Sequence, residues 1–298
     1  MPYDQHWNLG IQQQVMPKLL VELDYVGNRG LFLPGTDNIN FPEAGAGTIQ
    51  TRRPYPRFGT IAYNTQDSAS IYHSLQAKVE KRLSAGFWTM LAYTYSKTIT
   101  FAATPAVGGN YGWERALTGF DVPQNVAISF GYDLPFGKGR QFLHSNAVAD
   151  KVIGGWQMQG IWNYRSGTPY TPTVSRDVAN NGIGGQRPNR IGSGVLANPT
   201  RDLAFDKAAF TVPANFTYGN SGGNILRRDY AANMDFSIFK VFSITEKSKL
   251  QFRAEVFNLP NTPYFSAPNT NIDVAAGGKI TSTQNTPRQM QVALKLSF

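Results

Sequence analysis

The residue types that most often carry catalysis are sparse in this chain. Three histidines occur, His6, His73 and His144. Acid–base or nucleophilic chemistry needs such a ring within reach of a serine, a carboxylate or a metal ion. His6 and His73 fall at predicted strand starts and His144 in a predicted turn, with no serine or carboxylate at a recognisable spacing. They read as surface histidines. The absence of cysteine removes disulfides, thiolate nucleophiles and thiolate metal sites. Gly131–Lys138 (GYDLPFGK) has the outline of a phosphate-binding loop, but five residues separate its glycines instead of four, and Gly139 stands where a Ser or Thr is required. It reads as a turn. Asn180–Gly185 (NNGIGG) has no strand–helix unit around it and reads as a flexible extracellular loop. The Asp and Asn residues of the loops lack EF-hand spacing. No catalytic, cofactor or metal site is expected, and the chain is not expected to be an enzyme. Arg52–Phe58 (RRPYPRF) mixes cations with aromatics. It could meet an anionic ligand or a lipopolysaccharide phosphate; the plainer reading is a proline-stiffened loop.

What must position any functional group is legible in composition and periodicity. Charged residues make up 16% of the 298 residues and aromatic residues 13%. Soluble domains carry roughly 25% charged residues, so this balance suits a strand-rich protein with an unusual solvent on one face. The net charge is +9. The densest basic groups are Arg52, Arg53 and Arg57, then Arg187 and Arg190, then Arg227 and Arg228. They form no continuous stripe, so a nucleic-acid partner is not expected. No apolar run is long enough for a transmembrane helix. The first residues, MPYDQHWNLG, have neither the basic nor the apolar region of a signal peptide.

The dominant period is two, the period of a strand whose side chains alternate between faces. The last segment is the clearest. Phe298, Leu296, Leu294, Val292 and Met290 share one face, and Ser297, Lys295, Ala293, Gln291 and Gln289 share the other. The same alternation recurs around 19–26, 75–83, 87–96, 125–134, 156–165 and 249–258, and more weakly at 5–15 and 233–242. In 75–83 the apolar side is broken near the turn by Lys81. Strands of ten or so residues are long enough to cross a membrane with tilt, whereas a soluble sandwich favours five or six. Trp7, Tyr25, Tyr93, Tyr95, Tyr132, Trp156 and Tyr164 fall near strand ends, as interfacial girdles would. The fold expected is an all-β, antiparallel outer-membrane barrel segment of nine long strands.

Connection lengths alternate between short and long. Short joins are expected at Met16–Lys18, Ser84–Gly86 and Ser243–Lys247, and long ones at 29–70, 98–121, 167–232 and 259–286. Outer-membrane barrels have short periplasmic turns and long extracellular loops. One join, 135–153, is long although parity puts it on the periplasmic side; it has a possible short helix at Asn146–Val152. Parity also makes the first strand run inward, and nine is odd where bacterial single-chain barrels are even. An open curved sheet belonging to a longer protein is therefore expected, with free edges at its first and last strands.

Several stretches resemble the C-terminal barrel of TonB-dependent receptors, specifically the Oar-like group whose chains carry a carboxypeptidase-regulatory-like domain. They are Gln5–Gln14 (QHWNLGIQQQ), Tyr93–Ile99 (YTYSKTI), Arg115–Pro123 (RALTGFDVP), Asp133–Gly139 (DLPFGKG), Ser166–Pro172 (SGTPYTP), Asn233–Phe242 (NMDFSIFKVF), Leu250–Asn258 (LQFRAEVFN) and Pro287–Phe298 (PRQMQVALKLSF). They follow the family's order and span almost the whole chain. The resemblance implies a 22-stranded barrel enclosing a plug, set in the outer membrane of a Gram-negative bacterium. It implies uptake of a large or scarce ligand driven through TonB. Residues 1–298 would be the last nine strands, without plug, TonB box or signal peptide. Met290, Val292, Leu294, Leu296 and Phe298 resemble the signal read by the barrel-assembly machinery. Lipid and lipopolysaccharide would surround the wall, and Lys78, Glu80, Arg82, Gln251, Arg253 and Glu255 would line the lumen or meet the plug. Two rival readings are a soluble β-sandwich adhesin or carbohydrate-binding module, which requires shorter strands in two facing sheets, and an outer-membrane barrel lipase or protease, which requires a Ser–His or Asp–His pair at one rim.

Overall fold

The computed structural model describes residues 1–104, 112–137, 139–142 and 147–298. Lys138, His144 and Asn146 lie outside the described residues. The strands in chain order are β1 (Tyr3–Met16), β2 (Leu19–Asn38), β3 (Ala62–Ser84), β4 (Phe87–Thr104), β5 (Gly112–Leu117), β6 (Gln124–Asp133), β7 (Trp156–Arg165), β8 (Pro169–Tyr170), β9 (Asn189–Arg190), β10 (Phe210–Thr211), β11 (Leu226–Arg227), β12 (Ala231–Ser243), β13 (Lys249–Phe257) and β14 (Gln289–Ser297). A helix, α1 (Ala147–Ile153), precedes β7, close to the predicted position. One antiparallel sheet runs β1-β2-β3-β4-β6-β7-β12-β13-β14, with β5 attached to β4. These are the nine expected strands in sequence order. The sandwich reading required a second large sheet; β8–β11 and β9–β10 pair over only two residues each.

The register explains why alternation was so clear. Most apolar positions of the alternating set meet an apolar partner on the next strand. One row crosses the sheet as Val21, Val79, Leu91, Ile128, Trp162 and Met234. Another runs Tyr132, Met158, Ile238, Ala254 and Val292. A slip by one residue on any strand would turn that strand's whole apolar set to the wrong face. The face so formed stays open to its surroundings. Met290, Val292 and Leu294 are 74%, 68% and 67% exposed. Water does not tolerate so large a contiguous apolar surface, whereas lipid does.

Aromatic rings fill the glycine positions of the ladder. A Cβ on Gly27 would lie 2.2 Å from the Trp7 ring, one on Gly131 would lie 2.1 Å from Trp88, and one on Gly160 would lie 2.6 Å from Phe130. Each ring covers its cross-strand glycine and shields backbone that has no side chain of its own. The β3–β4 hairpin turns on Ala85 and Gly86, both at positive φ (51° and 78°), as a two-residue type I′ turn requires.

Three boundaries differ from expectation. β2 continues to Asn38 and β3 starts at Ala62, so the loop between them is 39–61 and not 29–70. The extension is irregular, with register shifts between Gly30 and Leu33 and between Leu33 and Gly35. β4 likewise runs to Thr104, and the predicted 98–121 loop contains β5. β5 and β6 occupy the same edge of β4, at Ile99–Thr104 and Phe87–Tyr95 respectively. They form one interrupted strand with a bulge at 118–123.

The lipid-facing register makes a direct prediction. Arginine replacing Ile128 in the middle of β6 will destabilise the protein by about 2–4 kcal/mol in phospholipid vesicles. Arginine replacing its neighbour Ser129, on the opposite face, will change stability by less than about 1 kcal/mol. Urea unfolding followed by tryptophan emission measures both. Equal costs would show that the two faces meet the same solvent.

Candidate functional site

The face opposite the apolar band is polar and internally paired. Glu80 meets Lys78 at 3.7 Å and Arg82 at 3.3 Å. Arg253 meets Glu255 at 2.9 Å, and Gln291 donates to Glu255. Gln251 pairs with Val241 and Lys295 in register. The predicted lumenal residues thus share a face, with opposite charges two apart on a strand neutralising one another.

Above the outer strand ends the long loops fold into a roof. Its core is Tyr170, Val174, Val178, Phe205, Ala209, Phe210, Leu226 and Ile272, so the largest buried apolar cluster lies in the loops and not on the sheet. Loop 258–288 is zipped to loop 166–230 through Thr173 N–H to Thr270 O (2.9 Å), Ile272 N–H to Thr173 O (2.9 Å) and Ile280 N–H to Arg201 O (2.7 Å). Loop 39–61 joins them: the Asn180 amide donates to Gly45 O at 2.9 Å and Gly47 O at 2.8 Å. NNGIGG is therefore held by specific bonds, and the expectation of a flexible loop is corrected. RRPYPRF follows the plainer reading. Arg52 donates to the carbonyls of Glu43 and Asn180, and Arg53 to Asn40 O at 2.6 Å, so both guanidiniums hold backbone.

Two ion pairs lock the roof to the wall. Arg187 grips Glu114 of β5 through both carboxylate oxygens, and Gly223 N–H adds a bond of 2.8 Å. Glu114 lies on the polar face, opposite Ala102 in register. Burial pushes its pKa up, but the Arg187 hydrogen bonds, the Gly223 amide and the Arg187 charge outweigh that and leave it lowered. The second lock is Asp121, whose carboxylate is fully buried. It accepts from Thr98 N–H of β4 at 2.6 Å and from the Arg227 guanidinium. Arg227 also donates to Asp121 O and Gly167 O, each at 3.0 Å. Asp121 sits in the β5–β6 bulge, so one carboxylate patches the interrupted ladder and anchors a loop.

Between wall and roof lies a cleft of about 690 Å³, lined by Asn125, Asn163, Arg165, Asn233, Tyr264 and Asn285 among others. The volume falls in the range of small-molecule sites. Asn163 pairs with Asn233 in register, and Asn125 with Arg165, so these groups stand side by side on the lumenal face. The Arg165 and Arg228 guanidiniums lie 5.2 and 5.3 Å from the centroid of the Tyr264 ring. Among the described residues no partner engages the side-chain amides of Asn125 and Asn163. Free amides beside cations and an aromatic face suit a ligand rich in oxygen acceptors and carrying negative charge. Among those residues no group of His, Asp and Glu could hold a metal ion. His6 contacts the Asn28 amide at 2.8 Å, and His73 contacts the Tyr25 hydroxyl at 2.7 Å.

A single long-stranded antiparallel sheet, apolar outside, polar inside and roofed at one end, is barrel architecture. The family model for the outer membrane beta barrel domain matches residues 1–291. The chain belongs to this family. Its place is the outer membrane. No curated protein matches it in sequence. Among solved structures, the outer membrane transporter YddB of Escherichia coli is 9% identical with a TM-score of 0.50, covering 99% of this chain and 32% of that one. The ferripyoverdine receptor of the Pseudomonas aeruginosa outer membrane is 10% identical with a TM-score of 0.49, covering 99% and 27%. At such identity the likeness to YddB shows the fold alone. The chain thus spans about a third or less of the length of the structures it matches.

Within this barrel domain Met290, Val292, Leu294 and Leu296 of the predicted terminal set share the apolar face of β14. Met290, Val292, Leu294 and Leu296 oppose Val256, Ala254, Phe252 and Leu250 across β13, and Phe298 follows the end of β14. The cleft was only half visible in sequence. Asn125, Asn163 and Arg165 alternate onto the polar side of predicted strands, while Tyr264 and Asn285 lie in a loop with no periodic signal. The pairings of Arg187 and Arg227 join positions 73 and 106 residues apart, a separation that spacing rules do not reach.

The Glu114–Arg187 lock sets a pH dependence. Because the folded carboxyl titrates below its unfolded value, its contribution is present above the ordinary glutamate range and is lost as pH falls through the lowered folded value. Proteolysis of loop 166–230 should therefore accelerate at about pH 3 relative to pH 7. Glu114→Gln should open the loop already at neutral pH, because a buried arginine losing its partner costs on the order of 3 kcal/mol. Unchanged cleavage in that variant would remove the lock from the account.

Proposed function

We propose that this chain is barrel wall and extracellular roof of a TonB-dependent receptor, importing a ligand too large or too scarce for open pores. The observation that carries the reading is the roofed lumenal cleft. A wall with that much ordered loop structure over its polar face is built to recognise something at the outer mouth, and the free amides of Asn125 and Asn163 with Arg165 give recognition its chemistry. The order and span of the Oar-like stretches support placement in that group. They also support residues 1–298 as the C-terminal part of the barrel, with plug and TonB box elsewhere in a longer protein. Open backbone edges at β1 and β14 support the same view, because hydrocarbon cannot satisfy unpaired strand edges. Outer-membrane lipid and lipopolysaccharide then surround the wall. The barrel-assembly machinery reads Met290, Val292, Leu294, Leu296 and Phe298. The role is passage and recognition, with no chemical step assigned.

Three measurements test this. The full-length protein should require detergent or lipid to remain monodisperse; a stable monomer in plain buffer would exclude lipid-exposed apolar faces. Uptake of its ligand should stop when the proton gradient is collapsed, as TonB coupling demands. Arg165→Gln should weaken ligand capture about tenfold, the loss of one charge-assisted bond, with unchanged protein in the outer membrane. Uptake indifferent to both the gradient and Arg165 would favour a passive barrel.

A further inference from the structure

The inner end of the lipid-facing surface carries a feature that neither barrel closure nor ligand uptake uses. Lys240 of β12 shares the apolar face with its cross-strand neighbours Trp156 and Phe252. An ammonium on that face is costly unless its donors are satisfied. The side chain is almost fully buried, and Nζ donates to Asp150 O at 3.2 Å and Lys151 O at 2.7 Å. The Trp156 indole donates to Val152 O at 2.9 Å. These carbonyls belong to the last turn of α1, where Asp150 O keeps one backbone bond, from Gly154 N–H at 3.0 Å, and a helix end otherwise lacks donors of its own. A cation there also meets the negative end of the helix dipole. Two wall residues therefore cap α1 from the lipid-facing side.

The cap fixes where the helix lies. The chain reaches α1 through 134–142 and leaves it through Gly154 and Gly155. Gly137 and Gly154 approach so closely that a Cβ on Gly137 would sit 2.7 Å from Gly154 Cα. Val152 and Ile153 stay 64% and 44% exposed. They adjoin Trp156, where the apolar row Phe252 and Leu294 begins. Lys151 is exposed beside them. Apolar side chains next to an interfacial tryptophan, with a cation alongside, match the boundary between acyl chains and headgroup phosphates.

The geometry points to α1 as an interfacial anchor. It rests on the periplasmic leaflet, inserts Val152 and Ile153 among phospholipid acyl chains, and offers Lys151 to headgroup phosphate. The occupant is phospholipid because Val152 and Ile153 adjoin the inner margin of the lipid-facing band, at Trp156, whose ring packs edge-on against Phe252. The irregularly long periplasmic join is then a membrane-facing element and not a simple turn.

These 298 residues contain no native cysteine to compete for the label, and any cysteine elsewhere in the full-length protein is first replaced by serine. Single cysteines replace Val152, Ile153, Val195 (an exposed roof residue) or Val292 (a lipid-facing residue), each in the full-length protein and each carrying a nitroxide. The protein is reconstituted in vesicles of phosphatidylethanolamine and phosphatidylglycerol. Collision rates with oxygen and with a water-soluble nickel chelate are read by electron paramagnetic resonance. Labels at 152 and 153 should show an oxygen-to-nickel ratio several-fold above that at 195 and on the side of 292. Adding Lys240→Met should release the helix end, moving the ratio at 152 toward that at 195 while 292 stays unchanged. Nickel contact at 152 and 153 equal to that at 195, or protection from both reagents, overturns the proposal. So does a ratio at 152 that ignores the loss of Lys240.

Discussion

Hydrocarbon offers no hydrogen bonds, and every backbone amide and carbonyl that crosses it must find its partner in the protein. That constraint orders the rest of this structure. It demands a continuous ladder, and β1-β2-β3-β4-β6-β7-β12-β13-β14 supply one with antiparallel neighbours in sequence order. A continuous ladder fixes register, and register aligns each strand's apolar residues with those of the next. Alternation is then a collective property. Ile128 is lipid-facing because Leu91 and Trp162 on either side of it are. The apolar face cannot turn inward strand by strand.

The same constraint explains how much of the fold was legible from sequence. Where lipid touches one face and water the other, side-chain polarity must alternate, and β13 and β14 could be read almost residue by residue. Beyond the membrane the constraint lapses. Residues 27–38 of β2 (GNRGLFLPGTDN) carry Gly, Pro and Asn, which normally end a strand. Yet the ladder with β3 continues through two register shifts. Water on both faces imposes no alternation, so the extension left no periodic trace. β5 was hidden for a related reason. It is the outer half of a strand interrupted by Thr118–Pro123, and the buried Asp121 carboxylate, bonded to Thr98 of β4, holds the two halves in line together with Thr118 N–H to Thr98 O and Ser96 N–H to Pro123 O.

The roof was the least legible part because it is organised by polar groups acting at long range. Asn40 is fully buried and its side chain serves four backbone groups, donating to Tyr55 O, Phe58 O and Gly59 O and accepting from Tyr55 N–H. Gln186 ties side chains and backbone together inside loop 166–230, donating to Asp177 Oδ1, Asn181 Oδ1 and Ile183 O and accepting from Ala179 N–H. In sequence such residues look like ordinary solvated loop polarity. Their role appears only when the backbone they satisfy has been brought to them. A loop rich in Asn and Gly is not disordered when its amides find that many partners. The candidate cleft inherits its rigidity from this. Its wall side is set by the ladder and its roof side by buried amides, so its side chains stand on two supports that do not move together by accident.

Lysines on the lipid-facing side show what the membrane's inner boundary tolerates. Lys81 and Lys240 break the apolar alternation of β3 and β12, and a reading by polarity alone counts both as flaws. Both lie toward the periplasmic ends of their strands. Both ammonium groups are spent on carbonyls: Lys81 donates to Ser84 O at 3.3 Å and Phe87 O at 3.0 Å, while Lys240 donates to the end of α1. Each also lies over an aromatic ring, Phe87 at 5.1 Å and Phe242 at 4.9 Å. A long aliphatic stem crosses the apolar margin, and the charge is absorbed by carbonyls at the ends of strand and helix. At this depth a lysine does what no apolar residue could: it terminates a backbone element where water is scarce. The breaks in alternation therefore mark where the hydrocarbon ends.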